Sequence, residues 1–137
     1  RRIESREALP RGVHRAWRRL ERSVDAAGDH ATDDALHRVR ILAKRARYGA
    51  EACAESGIAD AAALEARLGA LQDHLGRHHD RVVAAAWMLE NGPRLESQAA
   101  FSAGGVALAS EIGAEQLAAT WRPLWRRAVR RRPHTWR

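Results

Sequence analysis

The residues best placed for chemistry are basic side chains that recur at three- and four-residue spacing in the second quarter of the chain. They are His37, Arg40, Lys44 and Arg47, followed by Tyr48. Each residue of an α-helix advances about 100°, so all five side chains fall within roughly 100° of arc, on a strip about 15 Å long. A strip of this kind can bind several anionic groups in a row.

This strip, which we call the basic row, is unfavourable without a partner. Like charges at these spacings repel by a few tenths of a kcal/mol per pair, and Arg47 borders the apolar side of the helix. Within the segment only Glu51 offers a compensating charge. A linear polyanion would relieve the repulsion and satisfy the donors together. A solvated basic face without function is the alternative that spacing alone leaves open.

The composition also favours an anionic partner. The formal net charge is +7 and the isoelectric point about 11.2, which suits nucleic acid, acidic lipid or a phosphate polymer. Of the 24 basic Lys and Arg residues, Lys44 alone is lysine. Arginine presents a planar fork of donors that matches phosphate oxygens in pairs. A GC-rich genome would enrich arginine everywhere, so the argument depends on where the arginines lie.

The chain carries helical signals and lacks strand signals. The spacing of Val13, Trp17, Leu20 and Val24 predicts a first helix from about Leu9-Pro10 to a stop at Gly28. A second helix is predicted from about Asp34 to Glu55. Asp33 would be its cap and Gly57 its stop.

A third helix is predicted from a cap at Asp60 to about Glu90, ending at Asn91-Gly92-Pro93. Its apolar stripe would comprise Leu64, Leu68, Leu71, Leu75, Val82 and Leu89. A fourth helix is predicted from about Glu96 to Arg131, with a weak point at Gly104-Gly105.

Four helices joined by short loops predict an all-α fold, an antiparallel four-helix bundle of long helices. We expect a single domain over residues 1–137, with a core from about residue 8 to 131 and a frayed basic tail over residues 132–137. Cys53 is expected to be a small core residue. No stretch approaches the ~20 apolar residues of a membrane span, and the lone cysteine fits a reducing cytosol.

Two motifs in this order resemble the signature of the CHAD family, the conserved-histidine α-helical domains. The first is His37-x-x-Arg40-x-x-x-Lys44-x-x-Arg47-Tyr48-x-x-Glu51. The second is Leu71-Gln72-Asp73-x-Leu75-Gly76-x-x-x-Asp80. The resemblance continues more weakly through Trp17-Arg18-Arg19-Leu20 and through the segment from Trp121 to Arg127.

The resemblance implies a module that binds inorganic polyphosphate without catalysis, in the cytoplasm and in association with polyphosphate granules. It implies two similar helical halves with basic helices facing a shared channel, of which this chain resembles the C-terminal half. No cofactor is expected. With one half present, we expect the free chain to be a monomer or a weak homodimer. Polyphosphate, or phosphate or sulfate as its mimic, would bring chains together into a dimer or a larger species.

Carried over by this resemblance, the predicted polyphosphate contacts on the second helix are His37, Arg40, Lys44, Arg47 and Tyr48. The predicted contacts on the first and last helices are His14, Arg18, Arg22, Arg122 and Arg126. Glu51 and Asp80 are expected to orient arginines, while Trp121 and Trp125 are expected to pack at the bundle end.

Other functional signals are weaker. His74 and His78 have the spacing of paired metal ligands, but both flank the leucine stripe and no Glu lies between them, so no metal site is predicted. Cys53 lies on the core side, and the serines have no local His and acid partners, so no catalytic residue is predicted. The alternative functions are a nucleic-acid-binding helical module and a helical protein-interaction domain.

We therefore expect no hydrolysis of polyphosphate or nucleoside triphosphates, with or without Mg²⁺, because no acidic cluster is placed to hold the metal. Phosphate release from the purified chain measures this. Turnover that copurifies with the protein and disappears on Asp80→Ala would contradict the expectation.

Overall fold

The computed structural model describes the backbone of residues 2–133 and the side chains of residues 11–133. Over this range the chain forms helices and no strand, which confirms the all-α class. The elements are α1 (Arg2–Ala27), α2 (Asp33–Glu55), α3 (Ala61–Asn91), a 3₁₀ turn (Gly92–Arg94), α4 (Ser97–Thr120) and α5 (Arg122–Val129).

The ends of the first two helices follow from local backbone chemistry. Gly28 and Gly57 adopt φ values of 64° and 75°, which L-residues with side chains rarely adopt, so both predicted stops are confirmed. The cap of α2 is Thr32, whose Oγ1 accepts a hydrogen bond from Ala35 N at 3.2 Å. The prediction of Asp33 as the cap was therefore wrong by one residue.

Two other helix starts differ from expectation. The backbone of α1 is already helical from Arg2, ahead of the predicted start at Leu9-Pro10, since proline is favourable in a first turn but does not define one. Asp60 precedes α3 as predicted, but it has a φ of 65° and its side chain makes no capping hydrogen bond. In the predicted tail, Arg132 and Pro133 follow α5, and residues 134–137 lie outside the described range.

The predicted fourth helix is two helices. It breaks at Trp121, and Pro123 lies in the first turn of α5, where its nitrogen has no proton to donate to the preceding turn. Gly104 and Gly105 lie inside the uninterrupted α4, so the weak point predicted there was wrong.

The first four helices pack on one another in chain order, and each runs antiparallel to the one before it. α2 lies between α1 and α3, α3 lies between α2 and α4, and α5 packs on α3. Arg40 lies by Gly76 and Arg47 by Gly69, so α2 and α3 run in opposite directions. The approaches of Arg81 to Gly113 and of His74 to Leu117 show the same for α3 and α4, and the approach of Val13 to Gly49, with the short loop that follows α1, shows it for α1 and α2. A bundle of antiparallel helices is thus confirmed.

Most of the predicted core is buried. The buried apolar side chains include the predicted Val13, Trp17, Leu20, Val24, Cys53, Leu64, Leu68, Leu71 and Leu75. Val82 is only partly buried and Leu89 is exposed, contrary to the predicted stripe. With Arg40 opposite Gly76, the first residue of α2 lies opposite roughly residue 83, so the last turns of α3 extend beyond α2.

Tryptophans join the two ends of the described chain. The Trp17 and Trp125 rings stack with centroids 5.1 Å apart and an interplanar angle of 21°. Trp121 is buried and Trp125 is partly buried against the core, so the expectation that both pack within the fold is confirmed. Among the described helices, none is long and apolar enough to cross a membrane.

The contact between α1 and α2 predicts opposite effects for two Gly→Ala variants. A methyl group on Gly49 would lie 2.9 Å from Val13 Cγ2, so Gly49→Ala should lower the free energy of unfolding by about 1–3 kcal/mol. For Gly12, no described atom outside its own stretch of helix lies within 4 Å of such a methyl group, so Gly12→Ala should raise the free energy of unfolding by about 0.5–1 kcal/mol. Urea unfolding followed by circular dichroism measures both. Stabilisation by Gly49→Ala would show that the two helices can separate without cost.

Candidate anion-binding site

The basic row lies along the seam between α2 and α3. His37, Arg40 and Arg47 are half-buried, whereas Lys44 is exposed. A methyl group on Gly76 would lie 3.4 Å from Arg40 Nε, and one on Gly69 would lie 3.5 Å from Arg47 Cδ. The two arginine side chains therefore lie directly over glycines of α3.

Several polar atoms in this seam are buried without a hydrogen-bond partner. They are His37 Nδ1, Arg40 Nε, Arg47 Nε and Gln72 Oε1. Buried polar groups in native proteins are almost always paired, and an unpaired one costs about 1–3 kcal/mol. Their concentration along one seam indicates a surface whose polar groups are not fully satisfied within the chain.

The far end of the basic row, at Arg47 and Tyr48, has contacts within the chain that compensate its charge. Arg47 forms an ion pair with Glu65 of α3 at 3.9 Å. Tyr48 is half-exposed, and its ring lies 5.0 Å from the Arg47 guanidinium carbon and 5.8 Å from Lys44 Nζ. Tyr48 thus supports the two cations through its ring face, at cation–π distances.

The near end of the basic row, at His37, contacts a residue that the sequence analysis did not predict as part of the site. His79 of α3 stacks on His37 with ring centroids 4.0 Å apart and an interplanar angle of 19°. Burial lowers the pKa of His79 from its usual value, and the charges of His37 and Arg40 lower it further. A helical wheel of α3 places His79 with Gly69, Gln72 and Gly76 within roughly 80°, a signal that could have revealed this shared face.

Arg18, a predicted contact on α1, belongs to an ion-pair cluster outside the basic row. Arg18 pairs with Glu21 at 3.4 Å, and Glu21 also binds Arg132 at 2.8 Å, beyond α5. Arg22 is exposed and His14 is half-buried. Glu21 therefore links Arg18 of α1 to Arg132, near the end of the described chain.

On α5, the side chain of Arg122 makes contacts within the fold. Its guanidinium donates to the Gly28 carbonyl at the end of α1, and it lies 4.8 Å from the Trp121 ring centre. Arg126 is exposed one turn further on. The two predicted contacts on α5 thus differ, since Arg122 is engaged within the fold and Arg126 faces solvent.

The two histidines of α3 with metal-ligand spacing, His74 and His78, form hydrogen bonds with different partners. His74 Nε2–H donates to the Leu117 carbonyl at 2.9 Å, and His78 Nε2–H donates to Asp33 Oδ1 at 3.0 Å. No group of three or more His, Cys, Asp or Glu residues in the described part of the chain could hold a metal ion. Cys53 is buried, as expected, and this burial raises the pKa of its thiol, which disfavours the reactive thiolate.

Comparisons with known proteins agree with the motifs. The model of the CHAD domain family matches residues 1–89, which include the whole basic row and His79. Two proteins of Mycobacterium tuberculosis, from strains CDC 1551 and H37Rv and both described as uncharacterized, are each 36% identical over 91 residues. The match covers 61% of this chain and 17% of each relative, so the chain corresponds to a small part of these longer proteins. No solved structure gives a significant match.

The contacts on α5 predict that two arginines of the same helix differ in their effect on stability. Arg122→Ala should lower the free energy of unfolding by about 1–3 kcal/mol, because it removes the donor to a partly buried carbonyl. Arg126→Ala, an exposed control with the same loss of charge, should change it by less than about 0.5 kcal/mol. Urea titration of both variants measures the difference. Equal unfolding midpoints would show that the Gly28 contact contributes nothing.

Proposed function

The chain belongs to the CHAD domain family, and from that premise we propose that it binds inorganic polyphosphate, or a closely similar polyanion, without catalysis. The observation that carries this proposal is the seam between α2 and α3. Four potential cations share one strip there, and polar nitrogens of His37, Arg40 and Arg47 lack hydrogen-bond partners. The proposal extends to a cytoplasmic location with polyphosphate granules.

A flexible phosphate chain fits the strip for electrostatic reasons. Charges at three- and four-residue spacing on α2 repel each other, and an anion placed between them turns repulsion into attraction. Arginine and lysine bind phosphate oxygens through short charge-assisted hydrogen bonds. Because the strip from His37 to Arg47 is about 15 Å long, several consecutive phosphates of one chain can contact it.

The recessed position of the arginines favours a base-free chain over duplex DNA. Arg40 and Arg47 are half-buried and lie over α3, so a ligand must enter the seam to reach them. A duplex is stiff over about 150 base pairs and would contact mainly the outermost cations. A phosphate chain without bases can follow the seam.

The acids beside the row support binding over catalysis. Metal-assisted phosphoryl transfer needs carboxylates that hold the metal near the anion. Glu65 is instead paired with Arg47 of the row. We propose that the acids of the seam position arginines, as expected for Glu51 and Asp80.

The proposal is tested by titrating the chain with long-chain polyphosphate and with duplex DNA, at matched phosphate concentration and over a range of salt. Polyphosphate should bind more tightly at physiological salt, and its affinity should fall steeply as salt increases because several phosphates are neutralised by cations. Equal affinity for the two polymers would favour the nucleic-acid alternative. Absence of binding to polyphosphate would overturn the proposal.

Single-residue variants distinguish the row from general charge. Lys44→Ala should weaken polyphosphate binding about five- to tenfold and reduce the slope of log K against log salt by about one, because one phosphate contact is lost. Arg45→Ala removes the same charge from a neighbouring exposed position about 100° away and should have a much smaller effect. Equal losses in the two variants would show that net charge, and not the row, determines affinity.

A further inference from the structure

The stacked histidines place two titratable rings at the near end of the basic row. His37 comes from α2 and His79 from α3, and their nearly parallel rings have centroids 4.0 Å apart. Nδ1 of His37 is buried without a hydrogen-bond partner. The pair therefore combines a cross-helix contact with an unpaired polar atom at the His37 end of the basic row.

The charges around His79 oppose its protonation. Burial is the largest cause that lowers the pKa of His79, and the nearby His37 and Arg40 of α2 and His78 of α3 act in the same direction. Asp80 raises it. The usual value is 6.5, so in the free protein His79 is largely neutral at neutral pH.

An apolar hollow lies beside His79. Its lining includes Val83, Ala84, Trp87 and Met88, together with Asp80. Apolar surroundings disfavour an isolated charge but strengthen the attraction between opposite charges. An imidazolium at this position is thus unfavourable alone and favourable beside an anion.

We infer that His79, stacked on His37, takes up a proton when a phosphate chain binds, which makes His79 a further anion contact and couples affinity to pH. This inference rests on the proposed function. A bound phosphate favours the charged imidazole, and the proton converts a ring nitrogen from an acceptor into a donor for a phosphate oxygen.

The direction of the pH dependence follows from linkage. Binding of an anion raises the pKa of His79 above its value in the free protein, so affinity increases as pH falls through the raised value. It levels off below the free value, which for His79 lies under 6.5. Arginine and lysine do not titrate in this range, so a site made of them alone would show no such increase.

The test measures proton uptake directly. Calorimetric titrations at pH about 6.5, in two buffers with different ionisation enthalpies, give the number of protons taken up on binding. The ligands are long-chain polyphosphate and dextran sulfate, whose sulfate esters do not titrate in this range. The proteins are the wild-type chain, His79→Gln, and the control His30→Gln, which removes an exposed histidine of the loop between α1 and α2.

The expected result is a net uptake approaching one proton by the wild-type chain and by His30→Gln with both ligands, and its loss in His79→Gln. Between pH 8 and 6 the wild-type affinity should then rise by about three- to tenfold more than that of His79→Gln, as expected for one linked proton. In the wild-type chain, the ring-proton resonance of His79 should titrate at higher pH with dextran sulfate than without. This measurement does not depend on the variant folding.

Two groups of outcomes separate the inference from the proposed function. Binding without proton uptake, uptake that persists in His79→Gln, or uptake with polyphosphate only would overturn the inference and leave the function standing. No binding of polyphosphate or dextran sulfate at any pH between 5.5 and 8 would overturn both.

Discussion

The structure depends on the close packing of α2 against α3. The buried side of α2 carries small residues, Ala43, Ala46 and Ala50, which face a core that includes the leucines of α3. Small side chains let two helices approach closely, and this approach leaves the stems of Arg40 and Arg47 over Gly76 and Gly69. The core contact thus fixes the position of the basic row, because the row is the edge of the same helix that the leucines hold.

In this arrangement, a favourable and an unfavourable contribution to the free energy of folding oppose each other. Burial of the apolar side of α2 stabilises the fold, while the same packing brings cations together and removes hydrogen-bond partners from their nitrogens. The contact of Arg47 with Glu65 and the ring of Tyr48 relieve the far end of the row. At the other end, His37 stacks on the imidazole of His79, and a bound anion there would relieve the repulsion between cations.

The sequence predicted what depends on the period of one helix. The common face of His37, Arg40, Lys44 and Arg47 follows from 3.6 residues per turn, and the stops at Gly28 and Gly57 follow from backbone freedom. It did not predict what depends on the register between helices, such as His79 beside His37 and Glu65 beside Arg47. It also misplaced the break in the last helix, because exposed glycines are tolerated inside α4 whereas Pro123 removes a backbone donor.

The same reasoning explains why arginines of equal spacing need not share a role. Arg40 and Arg122 are both half-buried, and both belong to pairs three or four residues apart that suggested anion contacts. Arg122 donates to the Gly28 carbonyl and packs on Trp121, so its donors help to join α5 to the end of α1. Arg40 lies over a glycine, and its buried Nε has no hydrogen-bond partner within the fold. In a chain so rich in arginine, the partner of each guanidinium within the fold, and not its spacing along a helix, separates a structural arginine from one that can bind a ligand.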